Sequence, residues 1–173
     1  MPDLAEGQYH VELLSERHER LAFSCGNESL DRYLHQQAGQ DRRRYAAVPF
    51  VLVEDSNPEV LGYYTLSAFG VDLGELPQTV ARKLPRYPVV PATLLGRLAV
   101  ALSRRGRGLG EFLLMDALRR SLGHAQEIAS VAVVVDAIDE AAWAFYHRFN
   151  FLPFSNRRDR LFLPMRTVAQ LFE

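Results

Sequence analysis

The chain has 173 residues, 48% hydrophobic and 24% charged, with a formal net charge of -1 and one cysteine, Cys25. This is globular composition, long enough to bury a core in one domain over residues 1–173 without disulfides or a structural metal. It excludes a globally basic nucleic-acid binder, an internal disulfide and a cysteine-based metal cluster, and no apolar run approaches the roughly 20 residues of a membrane span.

The N-terminal MPDLAEGQYH has neither the basic nor the apolar region of a signal peptide, so a cytoplasmic protein without membrane association is expected. Cys25 reads as a packing residue. After FSCG, Asn27 can cap a first amphipathic helix, with Leu30, Tyr33, Leu34 and Ala38 at helical spacing towards Arg42, Arg43 and Arg44. PFVLVED and EVLGYYTLSAFGVDL, separated by SNPE, predict an antiparallel hairpin. QTVARKLPRYP predicts a short helix broken by Pro85 and Pro88, and ATLLGRLAVAL a further strand. Leu113, Leu114, Ala117, Leu118 and Leu122 recur at spacings of three and four, predicting a helix that ends near Gly123. SVAVVVDAI has the pattern of a strand covered on both faces. Asp139 can cap the next helix, in which Ala142, Phe145, Tyr146 and Phe149 share a face. RLFLPMRTV is expected to close the sheet as a strand. The fold class is therefore α/β (α+β): a mixed sheet flanked by helices.

The stretch SRRGRGLG, residues 103–110, lies between a predicted strand and a predicted helix. Amides at a helix N-terminus and the positive end of the helix dipole converge there, which makes an anion site. Gly106, Gly108 and Gly110 let the backbone take unusual dihedrals and let a phosphate approach, while Arg105 and Arg107 add charge. The G-x-x-x-x-G-K-[ST] loop is missing, and the glycine spacing is not that of G-x-G-x-x-G. By itself the stretch fits a flexible basic turn equally well.

RGRGLG fits [RQ]-x-x-G-x-[GA] and directly follows GRLAV, and one helix and one strand later comes DEAAWAFYHRFNF. Together these resemble the acetyl-CoA loop and the D/N-x-x-A-x-x-x-Y-x-x-x-G-F segment of the GCN5-related N-acetyltransferases, the GNAT family. FSCGNESLDRYL, VLGYYTLS, LLGRLAV and AFYHRF further resemble the acetyltransferase toxins of bacterial toxin-antitoxin pairs. Two departures stand out: Asn150 where glycine is usual, which the tolerance of Asn for left-handed backbone accommodates, and Asp139 for the commoner Asn.

The resemblance implies a twisted, mostly antiparallel sheet and acetyl-CoA as co-substrate, with no metal. It implies that main-chain groups of Leu98, Ala99 and Val100 bind the pantetheine and acetyl carbonyl. Amides of Arg105, Gly106, Arg107, Gly108, Leu109 and Gly110 would hold the pyrophosphate, and Asp139 joins the cofactor-binding set. Tyr146 is the implied general acid that protonates the departing sulfur, a role suited to a phenol with a reference pKa of about 10. No residue stands out as a base, which favours an acceptor α-amine, with a reference pKa near 8, over a lysine amine near 10.4. The toxin resemblance implies aminoacyl-tRNA as acceptor, a ribbon-helix-helix antitoxin as partner and a homodimer. Acceptors left open are a small-molecule amine or a protein N-terminus, and a non-catalytic acetyl-CoA-binding module remains a third reading. The clusters at Arg42–Arg44, at Arg82, Lys83 and Arg86, and at Arg157, Arg158 and Arg160 are candidates for RNA phosphates. Glu54, Asp72, His10 and His147 have no role legible in the sequence.

Overall fold

The computed structural model describes residues 8–173. The signal-peptide reading rests mainly on residues outside that range. The elements are β1 (Tyr9–Leu13), α1 (Glu28–Arg32), a π-helical turn (Tyr33–Gln37), α2 (Ala38–Arg43), β2 (Val48–Glu54), β3 (Gly62–Asp72), α3 (Gln78–Ala81) and β4 (Val89–Val100). They continue with α4 (Leu109–His124), β5 (Ala132–Asp136), α5 (Glu140–Arg148), β6 (Leu152–Pro153), β7 (Arg160–Pro164) and α6 (Met165–Leu171). Seven strands are ordered β1-β2-β3-β4-β5-β7-β6. The β1–β2, β2–β3, β5–β7 and β6–β7 pairs are antiparallel, and β4–β5 is parallel. A parallel pair needs a crossover, and α4 supplies it. Among the described residues no helix is long and apolar enough to cross a membrane.

Three sequence expectations need correction. YHVEL forms an unpredicted edge strand, β1, although its five residues alternate apolar and polar. The strand read from ATLL begins earlier, at Val89. RLFLPMRTV is a strand only to Pro164; Met165 starts α6, with Pro164 in the extended N-cap position.

The chain forms two compact units, residues through Ser67 with Arg97–Ala117, and Ala68–Gly96 with Leu118–Glu173. In the first, Leu14, Phe23, Tyr33, Leu34, Val51, Val53 and Tyr63 make a core under the first helices. In the second, Val71, Val90, Val134, Phe154 and Phe162 form the centre of another. Ala132–Val135 are buried on both faces, as the continuous apolar run predicts.

Gly62 has no room for a methyl group. A Cβ there would lie 2.9 Å from the Ala99 carbonyl oxygen and 2.9 Å from Leu113 Cδ1. Gly62→Ala is expected to destabilise the protein by about 1–3 kcal/mol through overpacking, read as a lower urea midpoint with unchanged m-value.

Candidate active site

The C-terminal end of β4 runs past its pairing with β5. The Ala101 N–H donates to the Leu61 carbonyl at 2.8 Å, and the Ala99 carbonyl packs against Gly62, so both residues turn to β3. Alternation along an extended strand turns Leu98 and Val100 the opposite way. The parallel β4–β5 register covers Thr93–Leu95, and both residues lie past its last pair. Of the three residues expected to offer main chain, Leu98 and Val100 point off the β3 ladder, whereas the Ala99 carbonyl turns into it.

The glycine-arginine stretch forms a short 3-10 turn, Leu102–Arg104, and then the start of α4. Gly106 and Gly108 have φ of 78° and 76°, the left-handed region that favours glycine, and no atom lies within 4 Å of a Cβ built on Gly106. The Phe112 N–H bonds the Gly108 carbonyl at 3.0 Å, the first link of the helix ladder, so the amides of Leu109, Gly110 and Glu111 precede it. The Leu109 side chain is buried and anchors this end of the helix. Arg107 is exposed, with its charge also acting on the Glu54 carboxylate.

Arg105 acts differently from the sequence expectation. Its guanidinium turns back and donates to the Cys25 carbonyl at 2.8 Å, while the Leu102 N–H donates to the Ser24 carbonyl at 2.9 Å. The Ser24–Cys25 segment thus tethers the loop. It is itself fixed by the Asp31 carboxylate, which accepts from the Cys25 N–H at 2.8 Å. Burial raises the Cys25 thiol to about 11, as suits packing rather than reactivity. Glu54, unplaced by sequence, ion-pairs with Arg104 at 3.2 Å and accepts from Gln8 at 2.9 Å. The Gln8 hydrogen bond and then the arginine charge lower its carboxyl pKa.

Tyr146 is held by the ends of its own helix. Asp139, the N-cap, accepts from the Ala142 N–H at 2.7 Å. At the other end Asn150 has φ of 69°; the Asn150 N–H bonds the His147 carbonyl at 3.0 Å and the Phe151 N–H the Tyr146 carbonyl at 3.3 Å. This is a Schellman motif, with Asn in the position usually given to glycine. Its hydrophobic contact is Phe151 against the Tyr146 ring, centroids 5.4 Å apart, with Phe151 fully buried. The family spacing of Asp, Ala, Tyr and Phe therefore describes a helix capped at both ends that fixes one phenol. Asp139 spends a carboxylate oxygen on this cap.

The Tyr146 hydroxyl differs from those of Tyr63, Tyr33 and Tyr64. Tyr63 donates to the Leu30 carbonyl, Tyr33 to Asp41 and Tyr64 to Asp116. Tyr146 is 6% exposed, has no hydrogen-bond partner among the described residues and is not a sealed-in polar atom, so its oxygen reaches accessible space. Burial, and secondarily the Asp136 carboxylate, push its pKa above the ordinary phenol value. Asp136 is itself held by Arg160 in a two-point pair, at 2.7 and 3.2 Å.

The basic clusters differ in kind. Arg157 pairs with Asp159, Arg158 with Glu140 and Arg160 with Asp136, so this expected RNA-facing cluster is largely neutralised. Arg82, Lys83 and Arg86 are exposed, as are Arg42, Arg43 and Arg44. His147 stacks on Trp143 at 4.6 Å, and His10 and Asp72 are exposed. Among the described residues no group of His, Cys, Asp and Glu is placed to hold a metal ion.

The acetyltransferase (GNAT) family model matches residues 11–151. The tRNA-acetylating toxin of Mycobacterium tuberculosis (strain ATCC 25618 / H37Rv) is 37% identical over 138 residues, 80% of this chain and 81% of the relative. The structure of AtaT complexed with acetyl-methionyl-tRNAfMet is similar with a TM-score of 0.88 and 27% identity, covering 95% of this chain and 99% of that one. A tyrosine-to-phenylalanine mutant of AtaT bound to the C-terminus of the antitoxin AtaR has a TM-score of 0.81 and 25% identity, covering 95% and 98%. With a family match over most of its length, a glycine loop at a helix N-terminus and a doubly capped tyrosine helix, the chain belongs to the GNAT family of acetyltransferases.

Proposed function

We propose that the protein transfers the acetyl group of acetyl-CoA directly to the α-amine of aminoacyl-tRNA, and acts as a translation-blocking toxin. The observation that carries this reading is the likeness to a tRNA-acetylating toxin and to an AtaT complex that holds acetyl-methionyl-tRNA. The residues present suit the donor. Amides over Gly106–Gly110 and the Arg107 charge fit a pyrophosphate, and the outward main chain of Leu98 and Val100 fits an amide-bearing pantetheine arm. Asp139 contributes by capping the helix that fixes Tyr146.

The neutral acceptor amine attacks the thioester carbonyl carbon, a C–N bond forms and the C–S bond breaks. Tyr146 gives its proton to the departing sulfur, whose thiol pKa is about 8.5 by analogy with a free thiol, water takes the ammonium proton, and the phenolate regains a proton from solvent. The supporting reading of partners is a ribbon-helix-helix antitoxin, a homodimer and a cytoplasmic location, with the chain forming a single domain; for the antitoxin it draws on the AtaT–AtaR complex.

The raised pKa of Tyr146 sets a pH signature. The proton-donating form persists below that pKa and is lost only as pH rises through it, so no falling limb from Tyr146 is expected below pH of about 10. kcat/KM should instead rise with pH as the acceptor amine deprotonates, levelling off above about 8. The function itself is tested by radiolabelled acetyl transfer to total charged tRNA beside deacylated tRNA. Label on the charged pool alone is expected; equal label on both, or transfer only to small amines, would refute the RNA-directed reading.

A further inference from the structure

Arg20 and Arg43 converge on one small space over Gly39. Arg43 Nη1 and Arg20 Nη1 lie 3.2 and 3.3 Å from the position a Cβ would take on Gly39, so two guanidiniums converge over a residue with no side chain. Among the described residues neither arginine has an ion-pair partner. Two guanidiniums drawn together without a counter-charge repel, and an anion between them relieves the repulsion. They line a cavity of about 440 Å³ whose lining, among the described residues, also includes Arg42, Tyr45 and one carboxylate, the exposed Glu16. Arg42 is already committed to the Leu14 carbonyl.

Tyr45 completes the arrangement. Its ring is 96% exposed, and its backbone has φ of 59°, a conformation unfavourable for an aromatic residue. Two hydrogen bonds hold it there: Tyr45 N–H to the Arg42 carbonyl at 3.2 Å and Ala46 N–H to the Asp41 carbonyl at 2.9 Å. An arginine pair matches the oxygens of a phosphodiester, and a bare aromatic face beside it matches a stacked base. A carboxylate-rich peptide would use the arginines but leaves the ring unexplained.

We propose that Arg20, Arg43 and Tyr45 form a subsite that clasps one backbone phosphate of the acceptor RNA and stacks the adjoining base. The assignment rests on the RNA-directed reading above and deepens it. The subsite shares no residue with the acetyl-CoA loop.

The test is equilibrium binding of end-labelled deacylated tRNA, by anisotropy over a series of salt concentrations, to the wild-type chain, R20Q/R43Q, R20K/R43K and Y45A. For R20Q/R43Q the expected result is Kd raised about 10-fold or more and a salt slope smaller by about 1. R20K/R43K should recover the slope but not the full affinity. Y45A should weaken binding about 5-fold or more with an unchanged slope. Unchanged melting temperatures would exclude misfolding, and kcat on a small amine acceptor should match wild type. Equal RNA affinity and slope across all four proteins would overturn the subsite. Lost affinity for a polyglutamate peptide with RNA binding intact would also overturn it, in favour of an acidic protein segment. Because binding uses deacylated RNA, a protein that fails to acetylate charged tRNA can still show the clasp. One that acetylates it while the variants bind normally refutes the clasp alone.

Discussion

Tyr146→Phe is expected to lower kcat for acetyl transfer about 100-fold or more while leaving the Kd for acetyl-CoA within about twofold. The ring is wedged against Phe151 between two helix caps, so the phenylalanine variant keeps the packing and loses only the oxygen. Among the described residues that oxygen has no partner to strand, so the melting temperature should not fall. The same change at Tyr63, whose hydroxyl donates to the Leu30 carbonyl at 2.7 Å, should behave in the reverse sense and cost stability. Stopped-assay kinetics with calorimetric binding separate the effects. If kcat is unaltered in Tyr146→Phe, the residue is a core tyrosine and the general-acid assignment fails.

Gly108→Val should raise the Kd for acetyl-CoA about 10-fold or more, measured by calorimetry. Gly108 has φ of 76°, and its carbonyl accepts the first hydrogen bond of α4. A β-branched residue in left-handed backbone costs about 1–3 kcal/mol, which the loop can relieve only by turning its amides away from the anion. The defect should therefore lie in donor affinity, with kcat at saturating acetyl-CoA reduced far less. A variant that binds acetyl-CoA normally would show that these amides do not hold the pyrophosphate.

What the sequence reveals is mostly local. Asp139 three residues before Ala142, and Asn150 just past an aromatic helix face, are cap signals written within a dozen residues, and they place Tyr146. The strand-glycine-helix order is equally local and locates the loop. What escapes is set by distant partners. Arg105 reads as a phosphate ligand until its guanidinium is found on Cys25, 80 residues away in the chain. Arg157, Arg158 and Arg160 read as a basic patch because their carboxylates lie in part on other elements, Asp136 on β5 and Glu140 on α5. Arg20 shows the converse: it is unremarkable in the sequence, and only the fold brings it to Arg43 over Gly39. The β1 signal is present as the apolar–polar alternation of YHVEL, but it is only five residues long.

The most direct measurement of the central claim is mass spectrometry of the aminoacyl-adenosine released by ribonuclease from charged tRNA treated with the protein and acetyl-CoA. The predicted product carries one acetyl group on the amino acid's α-amine, formed by the wild-type chain and nearly abolished in Tyr146→Phe. Acetyl groups found on the nucleobases or on protein, with the aminoacyl-adenosine unmodified, would contradict it.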